Sequence, residues 1–132
     1  MKQLSIFIEN KSGTLLNILN VMKDAEIQII ASMVADTQDF GIYRVVCDNP
    51  DKAYSVLRNE GMAVTMSEVF AIVLDDKPGE AANVVSVLTE GGINISYIYS
   101  FLVSGKGILV FRTSDTELTK KIIKEKGLHE FA

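Results

Sequence analysis

Asn10-Lys11-Ser12-Gly13 and Asp76-Lys77-Pro78-Gly79 stand 66 positions apart in a chain of 132 residues. Each stretch follows a short β-rich run and precedes an amphipathic segment, so each reads as a turn from a strand into a helix. A spacing of half the chain length indicates an internal duplication. The fold is therefore predicted from one half of the sequence and checked against the other.

Further matches support the duplication, and none of them requires an insertion or a deletion. A shift of 66 residues places turn glycines on glycines and apolar positions on apolar positions. The matched pairs are Ile27-Gln28-Ile29 with Ile93-Asn94-Ile95, Gly41-Ile42 with Gly107-Ile108, Gly61-Met62 with Gly127-Leu128, and Ile6, Asn17 and Val21 with Ile72, Asn83 and Val87. Chance would rarely place several glycines in register with the apolar positions also in phase.

Each copy reads as strand–helix–strand–strand–helix–strand. Pro50 suits the first turn of a helix, and Gly61 suits its end. The predicted strands are 4–8, 27–35, 41–47, 62–67, 70–74, 93–103, 108–113 and 128–131. The second copy has predicted helices at 80–90 and 116–126, and the first copy has predicted helices that include residues 15–22 and 50–57. Their inward faces include Leu15, Ile18, Leu19, Met22, Ala53, Val56, Leu57, Ala81, Val84, Val85 and Leu88.

This element order is the ferredoxin-like split βαβ pattern, in which helices cover one face of an antiparallel sheet. We predict an α+β protein with two ferredoxin-like βαββαβ units, residues 1–68 and 69–132. A unit of this size alone buries only about 60% of its unfolded surface. We therefore expect the two units to share a sheet or a core and to form one rigid body.

Composition argues against several classes of partner. The chain carries 13 basic and 17 acidic side chains and a formal net charge of −4, which does not favour binding to nucleic acid or to a membrane surface. No apolar run reaches the roughly 18 residues of a membrane span. The single cysteine, Cys47, cannot form an internal disulfide, which favours the reducing cytoplasm, and we expect it to be a buried packing residue.

Side chains for catalysis are scarce. The one histidine, His129, lies three residues from the end of the sequence, and we expect it on the surface or on an edge strand. The carboxylate pairs Asp75-Asp76 and Asp36/Asp39 read as solvated turn residues. No cluster has metal-ligand spacing. We therefore predict no catalytic residues, no metal and no cofactor, and hence a protein that is not an enzyme.

The duplicated turn is the feature most suited to binding. The N-terminus of a helix presents N–H groups without intrahelical acceptors and the positive end of the helix dipole, which suit a carboxylate. Glycine at position 13 or 79 lets a ligand approach the backbone, and we expect Ser12 or Thr14 to cap the first helix. The alternative is purely structural, because strand–helix turns use Gly, Asn and Asp in any case.

The ordered set of motifs resembles the ACT domain family. Its N/D-x-x-G-x-L opening of the first helix is similar to residues 10–15 and 76–81. Its G-x-N-I-like start of the second strand is similar to Glu26-Ile27-Gln28-Ile29 and Gly92-Ile93-Asn94-Ile95. Each motif alone is weak, but the set occurs twice and covers essentially the whole chain, so the sequence resembles a tandem ACT-domain protein without a catalytic domain.

The resemblance implies what the turns bind. In that family two units typically pair side by side into an antiparallel sheet of about eight strands with the helices on one face. ACT domains typically bind amino acids or similar small molecules at the junction of two units and regulate metabolic enzymes. Carried onto this sequence, it implies a small-molecule ligand, a separate metabolic enzyme as partner and a homodimer. The implied ligand-binding residues form two sites, Asn10, Ser12, Gly13, Thr14 and Leu15 with Asn94, and Asp76, Gly79, Glu80 and Ala81 with Gln28, with Tyr97 as a pocket wall.

The copies also differ, and other functions stay open. Asp76 replaces Asn10, and Pro78 replaces Ser12 and removes a backbone donor, so we expect inequivalent sites. Tyr97, Tyr99 and Phe101 share one face of a strand and either pack against helices or a neighbouring chain or line a pocket. A ligand-free assembly module is the main alternative. An RNA-binding RRM is less favoured, because residues 106–111 lack most of its stacking aromatics.

Overall fold

The computed structural model describes residues 1–9, 12–36 and 39–131. The chain divides into two compact units, Lys2–Ser67 and the part from Glu68 onward together with Met1. We call them the N-terminal unit and the C-terminal unit. Each has its own hydrophobic core, and each is described by itself below.

The N-terminal unit has a four-stranded antiparallel sheet and two helices. Its strands follow the order β2-β3-β1-β4, with Ile6 opposite Tyr43 where β1 pairs with β3. Leu4 and Ile6 are buried because alternate residues of β1 face the helices. The elements are β1 (Lys2–Glu9), α1 (Thr14–Asp24), β2 (Ile29–Asp36), β3 (Phe40–Cys47), α2 (Pro50–Asn59) and β4 (Val64–Glu68).

The C-terminal unit repeats this plan with a three-stranded antiparallel sheet in the order β5-β7-β6. Ile72 and Phe111 belong to a buried cluster shared with the helices. The neighbouring positions Ala71 and Val110 belong to a second buried cluster, which alternation places on the other face of the sheet. The elements are β5 (Phe70–Leu74), α3 (Glu80–Glu90), β6 (Ile95–Val103), β7 (Lys106–Thr113) and α4 (Thr116–Glu125).

The predicted fold class, two ferredoxin-like units with α+β architecture, is confirmed. The strands of the described residues form two sheets, of four and three strands, where the sequence suggested about eight strands. The eighth predicted strand, residues 128–131, is reduced to a single antiparallel bridge between Ile72 and Glu130.

One predicted core position is wrong. Ala81, expected on the inward face of α3, is exposed. It lies in the first turn of the helix, next to Glu80, where it lines a surface groove. Val84 and Leu88 form the buried face of α3, as expected, and Val87 packs against the same core.

The four helices end in the same way. After each helix, the N–H of a residue in the left-handed region donates to the carbonyl three residues earlier. The N–H of the next residue donates to the carbonyl five residues earlier, as in a Schellman motif. The left-handed residues are Gly61, Gly92, Gly127 and Glu26, the last with φ of 59°. In α1 the two bonds run from Glu26 N to Lys23 O at 2.9 Å and from Ile27 N to Met22 O at 3.0 Å.

The helices begin in two different ways. Asn49 caps α2 by accepting from the N–H of Lys52 at 3.2 Å, and Asp115 caps α4 by accepting from the N–H of Leu118 at 3.0 Å. These are ordinary side-chain caps. The helices α1 and α3 begin instead at glycine, which has no side chain to offer.

Candidate functional site

The glycine turns have nearly the same geometry in both units. Gly13 has φ 90° and ψ −13°, and Gly79 has φ 89° and ψ −3°. A Cβ atom built on either glycine would meet no heavy atom within 4 Å, so glycine is required for its positive φ and not for lack of space. Each glycine carbonyl accepts the N–H four residues later at 3.0 Å.

The expectation that Ser12 or Thr14 caps α1 is wrong. The N-cap position is Gly13, because the left-handed turn sets the start of the helix at that residue. The first N–H groups of a helix lack acceptors within the helix. Because the N-cap residue of α1 is glycine, it has no side chain that could accept a hydrogen bond from these N–H groups.

A groove lies beside the turn of the N-terminal unit. Its volume is about 720 Å³, within the roughly 300–1,000 Å³ of small-molecule sites. We call it the N-terminal groove. Its lining comes from the end of β1, the start of α1, the start of β3 and the residues that follow α2. The described residues that line it are Phe7, Ile8, Glu9, Ser12, Gly13, Thr14, Asn17, Phe40, Gly61, Met62 and Ala63.

A smaller groove lies beside the turn of the C-terminal unit. Its volume is about 480 Å³, and we call it the C-terminal groove. It lies between the α3 turn and the hairpin that joins β6 to β7, where Leu102 is 78% exposed. The described residues that line it are Leu74, Asp75, Asp76, Lys77, Pro78, Gly79, Glu80, Ala81, Leu102, Gly105 and Gly107.

The electrostatics of the two turns differ although their backbones agree. Glu80 occupies the first turn of α3, where its charge meets the positive end of the helix dipole. Its Oε1 atom lies 3.7 Å from Nζ of Lys77 and accepts from Nδ2 of Asn83 at 3.0 Å. The first turn of α1 holds no acidic residue. An added carboxylate therefore meets less repulsion from the helix at Gly13 than at Gly79.

The structure places most of the sequence-predicted residues in these grooves. Ser12, Gly13 and Thr14 line the N-terminal groove. Leu15 points elsewhere and packs against the core of its unit. The residues predicted from the second turn, namely Asp76, Gly79, Glu80 and Ala81, line the C-terminal groove. Asn10, the remaining residue of the first set, lies outside the described residues.

Besides Leu15, three further predicted residues lie outside both grooves. Gln28 is exposed, its N–H donates to Oδ1 of Asp48 at 3.0 Å, and its carbonyl accepts from the N–H of Asp48 at 3.1 Å. Asn94, at the matching position, is also exposed, and its carbonyl accepts from the N–H of Ser114 at 3.3 Å. Tyr97 packs against the buried cluster on the second face of its sheet.

Sequence reasoning missed the apolar wall of the N-terminal groove. Phe7 and Phe40 lie with their ring centroids 5.1 Å apart, and Met62 lines the same groove. A signal for Phe7 existed, because it stands between the inward residues Ile6 and Ile8 and must therefore point away from the core. Phe7 and Phe40 together form an exposed apolar patch, and such patches mark contact surfaces.

His129 and Cys47 lie where the sequence analysis expects them. His129 is exposed, and its carbonyl accepts from the N–H of Val73 at 2.7 Å, which makes it an edge residue. Cys47 is free and buried, and burial raises the pKa of its thiol. Within the described ranges, no group of three or more His, Cys, Asp and Glu side chains is arranged to hold a metal ion.

No helix in the part of the chain described by the structure is long and apolar enough to cross a membrane. Each unit is a small ferredoxin-like α+β domain with a glycine-started helix beside an open groove. The family model for the ACT domain pair matches residues 1–132. The chain therefore belongs to the ACT domain pair family.

Solved structures agree with this assignment. Protein BT0572 from Bacteroides thetaiotaomicron is 37% identical, with a TM-score of 0.94 over 99% of this chain and 91% of that one. The ligand-free regulatory subunit of aspartate kinase from Thermus thermophilus is 12% identical, with a TM-score of 0.68 over 94% of this chain and 91% of that one.

The regulatory subunit of aspartate kinase from Thermus flavus is 15% identical, with a TM-score of 0.60 over 94% of this chain and 90% of that one. At such identities these two subunits show the fold alone. A comparison with curated proteins finds no significant match.

Proposed function

We propose that this ACT domain pair is a non-catalytic regulatory protein that binds an amino acid at the first turn of a unit and thereby modulates a separate metabolic enzyme. The observation that carries the proposal is the repeated turn, in which a left-handed glycine starts a helix beside a groove. Residues 1–68 and 69–132 are the proposed bounds of the two ACT units.

The chemistry of the turn supports a ligand with a carboxylate. The positive, N-terminal end of a helix dipole stabilises a negative charge, and the backbone N–H groups at the start of a helix are suited to bind anions. The amide of Asn17 and the hydroxyl of Ser12 line the same groove and can both donate and accept hydrogen bonds. These groups match the polar end of an amino acid.

The resemblance to ACT domains also places Asn94 and Gln28 at the ligand, and this stays a prediction. A cytoplasmic location is proposed from the reduced, buried Cys47. Regulatory subunits of aspartate kinase share the fold, and this likeness supports a metabolic enzyme as the proposed partner of this chain.

A second candidate function, assembly without a ligand, is supported by exposed apolar side chains on strands. In the C-terminal unit Ile98 and Leu102 are exposed on β6, and in the N-terminal unit Ile30 and Val34 are exposed on β2. Exposed apolar patches mark surfaces for protein contact. An assembly module of this kind would form homodimers through these strands and would not respond to amino acids.

Thermal unfolding in the presence of single amino acids separates the two candidates. A ligand that binds only the folded state at 100 times its Kd stabilises that state by about 2.7 kcal/mol. We therefore expect one amino acid, or a few related ones, to raise the Tm by several degrees. A panel of all twenty amino acids without any change in Tm would favour assembly.

A matched pair of variants tests the position of the site. Thr14→Glu gives α1 the charge that Glu80 gives α3, whereas Thr14→Gln adds a side chain of the same size without charge. Repulsion between two carboxylates about 4 Å apart is worth about 1 to 4 kcal/mol near a surface, so Thr14→Glu should weaken amino acid binding about tenfold or more. If the two variants bind the amino acid with equal affinity in calorimetric titration, the carboxylate does not bind at the start of α1.

A further inference from the structure

The N-terminal groove carries an exposed aromatic pair. Phe7 is 54% exposed and Phe40 is 40% exposed, and their rings are tilted by 31° at a centroid distance of 5.1 Å. Phe7 comes from β1 and Phe40 from the start of β3, two paired strands. The pair is therefore held by the sheet and not by a loop, so its faces are fixed relative to the α1 turn.

The opposite end of the groove is polar. Ser12, Gly13 and Asn17 belong to the turn and to the first turns of α1, and they line the groove together with the aromatic pair. Glu9 is the one charged side chain among the described residues that line it. The groove thus joins groups for a carboxylate, a carboxylate that can attract an ammonium group, and a flat apolar wall.

The C-terminal groove lacks this combination. The positions that match Phe7 and Phe40 after 66 residues are Val73 and Lys106. Its lining includes three carboxylates, those of Asp75, Asp76 and Glu80, and one cation, Lys77, and this excess of negative charge disfavours a further carboxylate. The duplication has therefore kept the turn in both units and has placed an aromatic wall beside only one of them.

We propose that the N-terminal groove selects amino acids with a large, flat apolar side chain, which stacks on Phe7 and Phe40 while the α1 turn binds the carboxylate. The C-terminal groove does not share this selectivity. This inference rests on the proposed function and deepens it by naming the class of ligand. Aromatic side chains prefer offset or edge-to-face contacts, and two tilted rings offer both.

Calorimetric titration of the full chain with L-phenylalanine, L-leucine, L-serine and L-glutamate tests the selectivity. We expect L-phenylalanine to bind most tightly and L-serine at least about tenfold more weakly, because about 1.4 kcal/mol of apolar contact is a factor of ten. We expect one strong site per chain. Two equal sites would overturn the assignment to the N-terminal groove.

Phe40→Ala and Phe7→Ala test the wall itself. Loss of one aromatic partner should weaken L-phenylalanine about threefold to tenfold and leave L-serine within about twofold. Leu16→Ala is the matched control, because Leu16 is 61% exposed on α1 and does not line the groove. Since Phe7 and Phe40 are half exposed, both variants should fold, and circular dichroism checks this. Phe40→Leu keeps an apolar side chain without a ring and serves if Phe40→Ala unfolds.

The outcomes separate the inference from the function on which it rests. If no amino acid binds the wild-type chain, the proposed function fails and the inference fails with it. If amino acids bind but L-phenylalanine is not preferred, or if its affinity survives the loss of Phe7 and Phe40, the function stands and the aromatic selectivity is wrong. Selective loss of L-phenylalanine binding in the two variants supports the inference.

Discussion

Replacing Glu26 with glycine should stabilise the protein. Glu26 ends α1 with φ of 59°, at the position that Gly61, Gly92 and Gly127 occupy after the other three helices. Its side chain is exposed and forms no hydrogen bond or ion pair with the residues that the structure describes. The side chain therefore contributes strain without a visible compensation.

The size of the effect follows from two opposing terms. A left-handed backbone costs a residue with a Cβ atom about 1 to 2 kcal/mol. A new glycine makes the unfolded chain more flexible, which offsets about 0.4 to 1 kcal/mol of that relief. Glu26→Gly should then raise the free energy of unfolding by about 0.5 to 1 kcal/mol, or the Tm by about 2 to 4 °C for a chain of this length.

The assay is urea unfolding followed by circular dichroism, with two controls. Glu26→Ala removes the charge and keeps the strain, so the difference between the glycine and alanine variants isolates the backbone. Gly92→Ala imposes the strain at a position with φ of 81° and no heavy atom within 4 Å of the new Cβ, and it should destabilise by a similar amount. A glycine variant no more stable than Glu26→Ala would refute this reasoning.

Two further predictions concern buried polar groups. The hydroxyl of Thr119 donates to the carbonyl of Asp115 at 2.7 Å and so accepts from the hydroxyl of Thr113, also at 2.7 Å. Thr119→Val should lower the free energy of unfolding by about 1 to 3 kcal/mol, and the double variant with Thr113→Val should lose less than the sum of the two single variants. Additive losses in urea unfolding would show that the two hydroxyls are not coupled. Burial raises the pKa of the Cys47 thiol, so its contribution to stability is complete below the ordinary thiol pKa of about 8.5 and is lost as the pH rises through the higher folded value. Between pH 7 and pH 10 the free energy of unfolding should therefore fall less in Cys47→Ala than in the wild-type chain. Equal slopes of the free energy of unfolding against pH in the two proteins would contradict this.

The sequence was sufficient for the elements and for the repeat. The strand 70–74 and the helix 80–90 have the bounds that the sequence predicts, because Gly79 and Gly91-Gly92 mark the helix ends and the continuous apolar run 70–74 marks the strand. Gly105, which stands between the predicted strands 93–103 and 108–113, also has a positive φ, of 78°. Glycine positions are informative because few other residues tolerate a positive φ.

The remaining features depend on packing that no local pattern reports. The sequence predicts a strand at residues 128–131, but only one bridge forms there in the described part of the chain. The cap of α1 was assigned to Ser12 or Thr14 because their side chains can cap, whereas the backbone of Gly13 sets the start. Phe40 was not selected, because its contact with Phe7 depends on the register of β1 with β3.

The sheet of the C-terminal unit is apolar on both faces, with Ile72 in one buried cluster and Ala71 in the other. Its outer strand β6, Ile95–Val103, contains nine residues and no charge or proline. Segments of this kind assemble into intermolecular β-structure when they are released. Any partial opening of this unit therefore exposes the chain to aggregation, and whatever holds β6 in place protects the protein in a crowded cell.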